Sequence, residues 1–222
     1  MTSDHQILER RQHFAARDRR ESHRREVRGV PGRPPERKLA TVLFVDVQGS
    51  MNLSATVEPD EWWSALNGLF ELMCDGVYRY AGWVGSFTGD GIKGVFEAPE
   101  APEAHARRAC DAACWLCDEL RTRGAELLDE RGLELAVRIG INSGEVVTGT
   151  IGDRYRRYYT ATGYSVALAK RIEALALPGR VYLSEHTAAL VAGTHRLRDL
   201  GTFSVKGAQL PVGVFELIEG GS

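Results

Sequence analysis

Two aspartates stand at positions where a divalent cation could bind. Asp46 lies near the end of an almost continuous apolar run, residues 39–47, which is typical of a strand buried on both faces. Asp90 lies between two glycines in a turn that joins two β-rich runs, residues 83–87 and 92–97. A carboxylate at the end of a buried strand is costly unless it is capped or binds a cation. Paired carboxylates suit Mg²⁺ or Mn²⁺ with phosphate oxygens, but the spacing alone is also compatible with ordinary turn chemistry of aspartate.

Two other patterns imitate known sites. Residues 89–94 match G-x-G-x-x-G, but a dinucleotide fingerprint needs a helix after the glycines, and here a strand follows. Cys110, Cys114 and Cys117 have a spacing that elsewhere holds an iron–sulfur cluster. Because they recur on one face of a predicted helix, buried thiols that pack as small apolar side chains are the favoured interpretation.

Several cations could bind phosphate. Arg171 lies in an otherwise apolar helical segment, where it needs an anionic partner or must extend to solvent. Lys206 is one of four lysines in the chain, and an ammonium is a compact point charge for a phosphate. Arg154, Arg156 and Arg157 follow a glycine-rich turn, where a solvated loop is favoured over a phosphate site.

The elements that must position these residues follow from the hydrophobic periodicity. The order β-α-β-β-α-β predicts an α+β fold with a ferredoxin-like core, appended elements and an antiparallel sheet flanked by helices. Besides the strand at 39–47 and the hairpin at 83–97, the patterns predict helices at 59–80, 103–130 and 163–176, and strands at 134–142, 145–151 and 212–218.

The charge divides the chain into two parts. Residues 1–38 hold 11 basic and 6 acidic residues, whereas residues 39–222 hold 17 and 24. We therefore predict a basic helical arm with a Pro/Gly linker over residues 1–37 and one globular domain over residues 38–222. Such an arm could contact nucleic acid or anionic lipid, but a solvated or dimer-proximal helix is favoured.

The composition excludes several classes of protein. The chain has 222 residues, 43% of them hydrophobic, and a net charge of −2, so no nucleic-acid partner is expected. No apolar run is long enough for a membrane span, and no signal-peptide pattern opens the sequence. Four cysteines are too few for a disulfide scaffold, which favours a reducing, cytoplasmic location.

Five motifs in the right order resemble the class III nucleotidyl cyclase catalytic domain. The resemblance covers about residues 38–218. The motifs are FVDVQGS (44–50), FTGDGIKGVF (87–96), VRIGINSGEVVTGTIG (137–152), YYTATGYSVALAKRIEALA (158–176) and VKG (205–207).

The resemblance implies a role for each matching position. Asp46 and Asp90 would bind two divalent cations, Mn²⁺ or Mg²⁺. Arg171 would stabilise the transition state, and Lys206 would bind the triphosphate of a nucleoside triphosphate. The family acts as a head-to-tail homodimer with sites at the interface, so Asp46 and Asp90 would come from one protomer and the other substrate contacts from its partner.

Three positions depart from the family pattern. Purine cyclases recognise their base with a polar pair, which is replaced here by Ser86 and Thr160, and the family's ribose-orienting Asn is replaced by Ala167. We therefore expect a pyrimidine substrate, UTP or CTP, as in the stand-alone cyclases of antiphage defence, which signal to a downstream effector protein. The alternatives are an adenylate cyclase and a catalytically degenerate regulatory module.

Overall fold

A computed structural model describes residues 32–97, 102–127, 136–153 and 156–220. The chain divides into two compact units. The smaller unit contains residues 148–160 and the described part of residues 1–36, and the larger unit contains residues 37–147 and 161–222. The predicted basic arm falls almost entirely on residues 1–31, which lie outside the described residues.

An eight-stranded, mostly antiparallel sheet is the centre of the fold. Its strand order is β2-β3-β1-β4-β6-β8-β7, and β5 pairs with β4. The strands are β1 Glu36–Val47, β2 Trp83–Phe87, β3 Gly91–Glu97, β4 Val137–Gly152, β5 Arg157–Thr162, β6 Val181–Ser184, β7 His195–Phe203 and β8 Val212–Gly220. The pairing of β4 with β6 is parallel, as expected when a helix crosses between two strands.

Five helices are described. They are α1 Ser50–Ser54, α2 Pro59–Arg79, α3 Pro102–Leu127, α4 Tyr164–Leu175 and α5 Glu185–Val191. Helix α2 begins with a proline in its first turn and a capping box between Glu58 and Glu61, so its start is well defined by sequence. No helix in the described part of the chain is both long and apolar enough to cross a lipid bilayer.

Both faces of β1 are covered, as its apolar run predicts. Leu43 and Val45 join the larger hydrophobic cluster, which includes the apolar faces of α2 and α3. Val42 and Phe44 point to the opposite face and join a second cluster that contains Val166 of α4. A strand buried in this way must follow a single register, because a shift of one residue would exchange its two faces.

The predicted α+β class and the β-α-β-β-α-β core are confirmed, but two predictions about elements are wrong. The two strands expected at 134–142 and 145–151 form one strand, β4. Its middle contains a polar Asn-Ser-Gly segment typical of a turn, yet Asn142 donates to the Ser165 carbonyl and the Ser143 N–H donates to Thr187. The predicted linker also ends early, because β1 begins at Glu36.

The cysteine prediction is confirmed. Cys110 is buried in α3, and Cys114 and Cys117 pack partly buried against the same core, all three as free thiols. Burial raises the pKa of Cys114 to about 12 and that of Cys117 to about 11. These thiols therefore stay protonated at neutral pH and act as apolar side chains.

The smaller unit includes the end of the predicted linker. The Arg33 N–H donates to Thr150 Oγ1 at 2.9 Å, and the Thr150 N–H donates to the Arg33 carbonyl at 3.1 Å. The Arg33 guanidinium lies 5.1 Å from the centre of the Tyr159 ring. Arg33 is thus held by the β4–β5 hairpin. Arg156 and Arg157 are exposed, as predicted, but Arg157 begins strand β5 and does not lie in a loop, and Arg154 is not among the described residues.

Candidate active site

The register of β1 and β3 places Asp46 next to the turn that carries Asp90. Asp46 is paired with Gly91, the residue that follows Asp90 in the chain. A Cβ atom at position 91 would lie 2.1 Å from the Val45 carbonyl oxygen, so only glycine allows β3 to approach β1 this closely. The Thr88 N–H donates to the Gly91 carbonyl at 2.8 Å and closes the turn that carries Asp90.

Asp46 is held by two cations from other elements. Its side chain is 13% exposed, and its oxygens accept from Arg138 of β4 at 2.7 Å and from Lys170 of α4 at 3.1 Å. Ion pairs of this kind compensate the cost of removing a carboxylate from water. They also tie the end of β1 to α4.

A second carboxylate binds the same two cations. Glu173 of α4 is fully buried and lies 2.6 Å from Lys170 and 3.2 Å from Arg138. Burial raises the pKa of Glu173, against the opposing effect of Lys170. Burial also lowers the pKa of Lys170, but its contacts with Glu173 and Asp46 outweigh that effect and the net pKa is raised. Two acids and two bases therefore form an electrically balanced group.

Asp46 and Asp90 are suitable ligands for a divalent cation. Both offer carboxylate oxygens, and the oxygens of Asp46 can accept a metal in addition to their hydrogen bonds. Within the described residues there is no cluster of three or more His, Cys, Asp and Glu that could complete a protein ligand set. The remaining ligands would then be phosphate oxygens and water, which is typical of Mg²⁺ sites that bind a nucleotide.

The cationic positions face solvent. Arg171 and Ala167 lie one helical turn apart on α4, and both are exposed. Arg171 thus extends to solvent, one of the two outcomes expected for it, and its neighbour Lys170 binds the buried acids instead. Lys206 is exposed in the turn between β7 and β8. Neither Arg171 nor Lys206 has an ion pair with another described residue.

The two predicted base-contact positions lie on different strands. Ser86 is half-buried on β2 and is paired with Lys93 of β3. Thr160 is 3% exposed on β5 and belongs to the smaller unit. Lys93 is itself only 7% exposed, and its ammonium donates to the Ala161 carbonyl at 2.9 Å.

The residues that surround the predicted ones were not predicted from the sequence. Arg138, Lys170 and Glu173 contact Asp46 or its partners, but only the packing of α4 on β4 brings them together. Lys93 did leave a signal, since it is a single charged residue inside the apolar run IKGVF of a hairpin strand. A lysine at such a position lies either on an edge strand or in the interior with a hydrogen-bond partner.

Comparison with known families matches residues 34–218 to the adenylate and guanylate cyclase catalytic domain. The chain belongs to this family. The cyclase domain is similar in structure to the adenylyl cyclase CyaB from P. aeruginosa, with a TM-score of 0.80 and 27% identity over 84% of this chain and 96% of that one. It is also similar to the guanylyl cyclase Cya2, with a TM-score of 0.76 and 29% identity over 86% of this chain and 96% of that one.

Similar curated proteins are much longer. Adenylate cyclase 1 of Rhizobium meliloti (strain 1021) is 28% identical over 189 residues, which are 84% of this chain but 28% of that protein. A receptor-type guanylate cyclase of Caenorhabditis elegans is 29% identical over 159 residues, which are 71% of this chain and 14% of that protein. The cyclase domain thus spans less than a third of these relatives, and they are named for two different bases.

Proposed function

We propose that the chain is an active nucleotidyl cyclase that converts a nucleoside triphosphate to a 3′,5′-cyclic nucleotide and pyrophosphate. The observation that carries this proposal is the register of β1 and β3, which puts Asp46 beside the turn that holds Asp90. Asp46, Asp90 and an exposed Arg171 on α4 supply the charges that such a reaction needs, which favours an active domain over a degenerate one.

The proposed reaction is an internal displacement. The ribose 3′-oxygen attacks the α-phosphorus, the bond from that phosphorus to the β-phosphate oxygen breaks, and pyrophosphate leaves while the hydroxyl proton passes to solvent. Asp46 and Asp90 would hold the divalent cations, which when bound supply charge neutralisation and a lower pKa of the hydroxyl. Arg171 would stabilise the negative charge that grows on the α-phosphate, and Lys206 would bind the triphosphate.

We further propose that the working unit is a homodimer with composite sites. Arg171 and Lys206 point to solvent, which suits residues that serve a site completed by a second copy of the chain. Several large apolar side chains are exposed to 60% or more, among them Met51 of α1, Phe87 next to Ser86, and Tyr164 at the start of α4. A second copy of the chain that covered them would remove this apolar surface from water.

The proposed substrate is a pyrimidine nucleotide, UTP or CTP, and the proposed product is a signal for an effector protein, as in antiphage defence. The support is chemical: Ser86 offers a short hydroxyl where purine cyclases have a lysine or a glutamate, and Thr160 offers a second short hydroxyl. ATP is the second candidate, because the adenylyl cyclase CyaB is among the similar structures.

The first test is product formation from each nucleotide. The purified chain with Mn²⁺ or Mg²⁺ is incubated separately with UTP, CTP, ATP and GTP, and cyclic nucleotides are quantified by chromatography. We expect UTP or CTP to be used best. Asp46→Asn and Asp90→Asn should each lower turnover by about 100-fold or more, since a metal site contributes several kcal/mol to the barrier. Asp75→Asn, an exposed acid on α2, is the matched control.

Each alternative has its own outcome. Turnover of ATP at least tenfold faster than of either pyrimidine would make the chain an adenylate cyclase. A folded wild-type chain that converts none of the four nucleotides would be a degenerate module. Near-normal turnover by either aspartate variant would contradict the metal assignment alone.

A further inference from the structure

Lys93 is a buried cation for which the proposed reaction has no use. It lies in the middle of β3, 7% exposed, beside the apolar side chains of a cluster that contains Phe44 and Val95. Burial of an ammonium in such surroundings is expensive and lowers its pKa, here to about 8, so the group is still mostly protonated at neutral pH. Titratable groups perturbed in this way are found at functional sites and in structural networks alike.

The neighbouring strand leaves room for this side chain. A Cβ atom at Gly85 of β2 would lie 2.9 Å from Cε of Lys93, so any larger residue at position 85 would displace the lysine. The ammonium ends at the Ala161 carbonyl, to which it donates at 2.9 Å. The Ala161 carbonyl therefore holds the ammonium, and Gly85 leaves space for the end of the side chain.

The same register puts Lys93 beside the position where purine cyclases carry their base-reading residue. Ser86 and Lys93 are directly paired across β2 and β3. Side chains paired in this way share one face of the sheet, with Cβ atoms about 5 Å apart. The Ser86 side chain is too short to reach a base as a lysine at that position would. Lys93 on the adjacent strand starts from a backbone position directly beside it.

We propose that Lys93 is a specificity-determining residue whose ammonium donates a hydrogen bond to a carbonyl oxygen of the substrate base. This inference rests on the proposed function and deepens it. An ammonium has three N–H groups and no acceptor, so one nitrogen can hold the Ala161 carbonyl and a base oxygen together. Uracil offers two carbonyl oxygens, cytosine one, and adenine none. The expected order of preference is therefore UTP, then CTP, then ATP.

The test compares how variants act on different bases. The chain carries either Lys93→Met, whose unbranched side chain is one atom shorter and has no N–H donor, or Gly85→Ala, which keeps the lysine but displaces its Cε. Lys38→Met is the matched control, because Lys38 pairs with Glu97 on the same sheet. The readouts are kcat/KM for UTP, CTP, ATP and GTP and the dissociation constants of 3′-deoxy-UTP and 3′-deoxy-ATP, which cannot cyclise.

Lys93→Met should lower kcat/KM for UTP by about 10- to 100-fold, the effect expected for loss of a charged hydrogen bond, with a change under threefold for ATP. It should weaken binding of 3′-deoxy-UTP in the same proportion, and Gly85→Ala should act in the same direction. Equal losses for all nucleotides would mean that Lys93 only joins β3 to β5, and would overturn the proposal. So would unchanged kinetics in both variants.

Failure of this inference is distinguishable from failure of the proposed function. If the wild-type chain makes no product, the binding of the two 3′-deoxy nucleotides still tests Lys93 directly. Suppose that the wild-type chain prefers ATP and that Lys93→Met leaves the ratio of kcat/KM for ATP to that for UTP unchanged. Then both the proposed pyrimidine preference and the proposed role of Lys93 are wrong. If that ratio shifts toward ATP in the variant, Lys93 reads the base whatever the wild-type preference.

Discussion

At the scale of single residues, the neighbouring cations Lys170 and Arg171 of α4 differ in their surroundings. Lys170 contacts Asp46 and the fully buried Glu173, whereas Arg171 is exposed and makes no ion pair with other described residues. A cation that compensates a buried acid contributes to stability, because its loss leaves a charge away from water. A cation in solvent contributes little to stability and is available to a substrate.

We expect Lys170→Met to affect mainly stability and Arg171→Met to affect mainly turnover. Lys170→Met should lower the free energy of unfolding by about 1–2 kcal/mol, a value reduced for its partial exposure and for Arg138, which still pairs with Glu173. Arg171→Met should change it by less than about 0.5 kcal/mol but lower turnover by about 100-fold. Urea unfolding and the cyclase assay measure the two quantities. Equal losses of stability in the two variants would contradict this division of roles.

At the scale of elements, the position of α4 depends on one close contact with β4. A Cβ atom at Gly140 would lie 2.1 Å from the backbone nitrogen of Glu173 and 2.6 Å from the Ala169 carbonyl oxygen. Backbone atoms of a packed helix cannot move aside as a flexible side chain can. Glycine at position 140 therefore sets the distance between β4 and α4, the helix that carries Lys170 and Arg171.

Gly140→Ala should displace α4 and lower the free energy of unfolding by about 3 kcal/mol, the upper part of the usual range for overpacking. Gly193→Ala is the control, because a Cβ atom there meets nothing within 4 Å and the backbone has no positive φ. Urea unfolding of both variants gives the comparison. A loss below 1 kcal/mol in Gly140→Ala would mean that α4 does not depend on this contact.

Some elements could be predicted from the sequence and others could not. Apolar periodicity predicted β1, α2 and the hairpin, because their burial depends on their own residues. The continuity of β4 was not predictable, since Asn142 and Ser143 find partners on α4 and α5 that only the folded chain brings near. Asp46 and Asp90 could be picked out in the sequence, but the cations that contact Asp46 depend on register and helix packing.

At the scale of the whole molecule, each site of the proposed dimer takes its catalytic residues from both protomers. Asp46 and Asp90 would serve one half, and Arg171 would serve the half supplied by the partner. A heterodimer of two differently damaged chains then contains one site with both defects and one site with none.

Mixing Asp46→Ala chains with Arg171→Ala chains should therefore restore about a quarter of wild-type activity, since random pairing makes half of the dimers mixed and each mixed dimer has one intact site. Mixing Asp46→Ala with Asp90→Ala should restore none, because both defects fall in the same half. The cyclase assay after subunit exchange measures both mixtures. Equal behaviour of the two mixtures would mean that each protomer carries a complete site.

Gly85 and Lys93 also limit each other's substitutions. A side chain at position 85 would meet Cε of Lys93, which must then turn aside from its place near Ala161. Gly85 without the lysine would leave only a small gap in a strand at the end of the sheet order, which a fold tolerates. Position 85 therefore accepts a larger residue without disturbing a charge only in a chain that has no lysine at position 93.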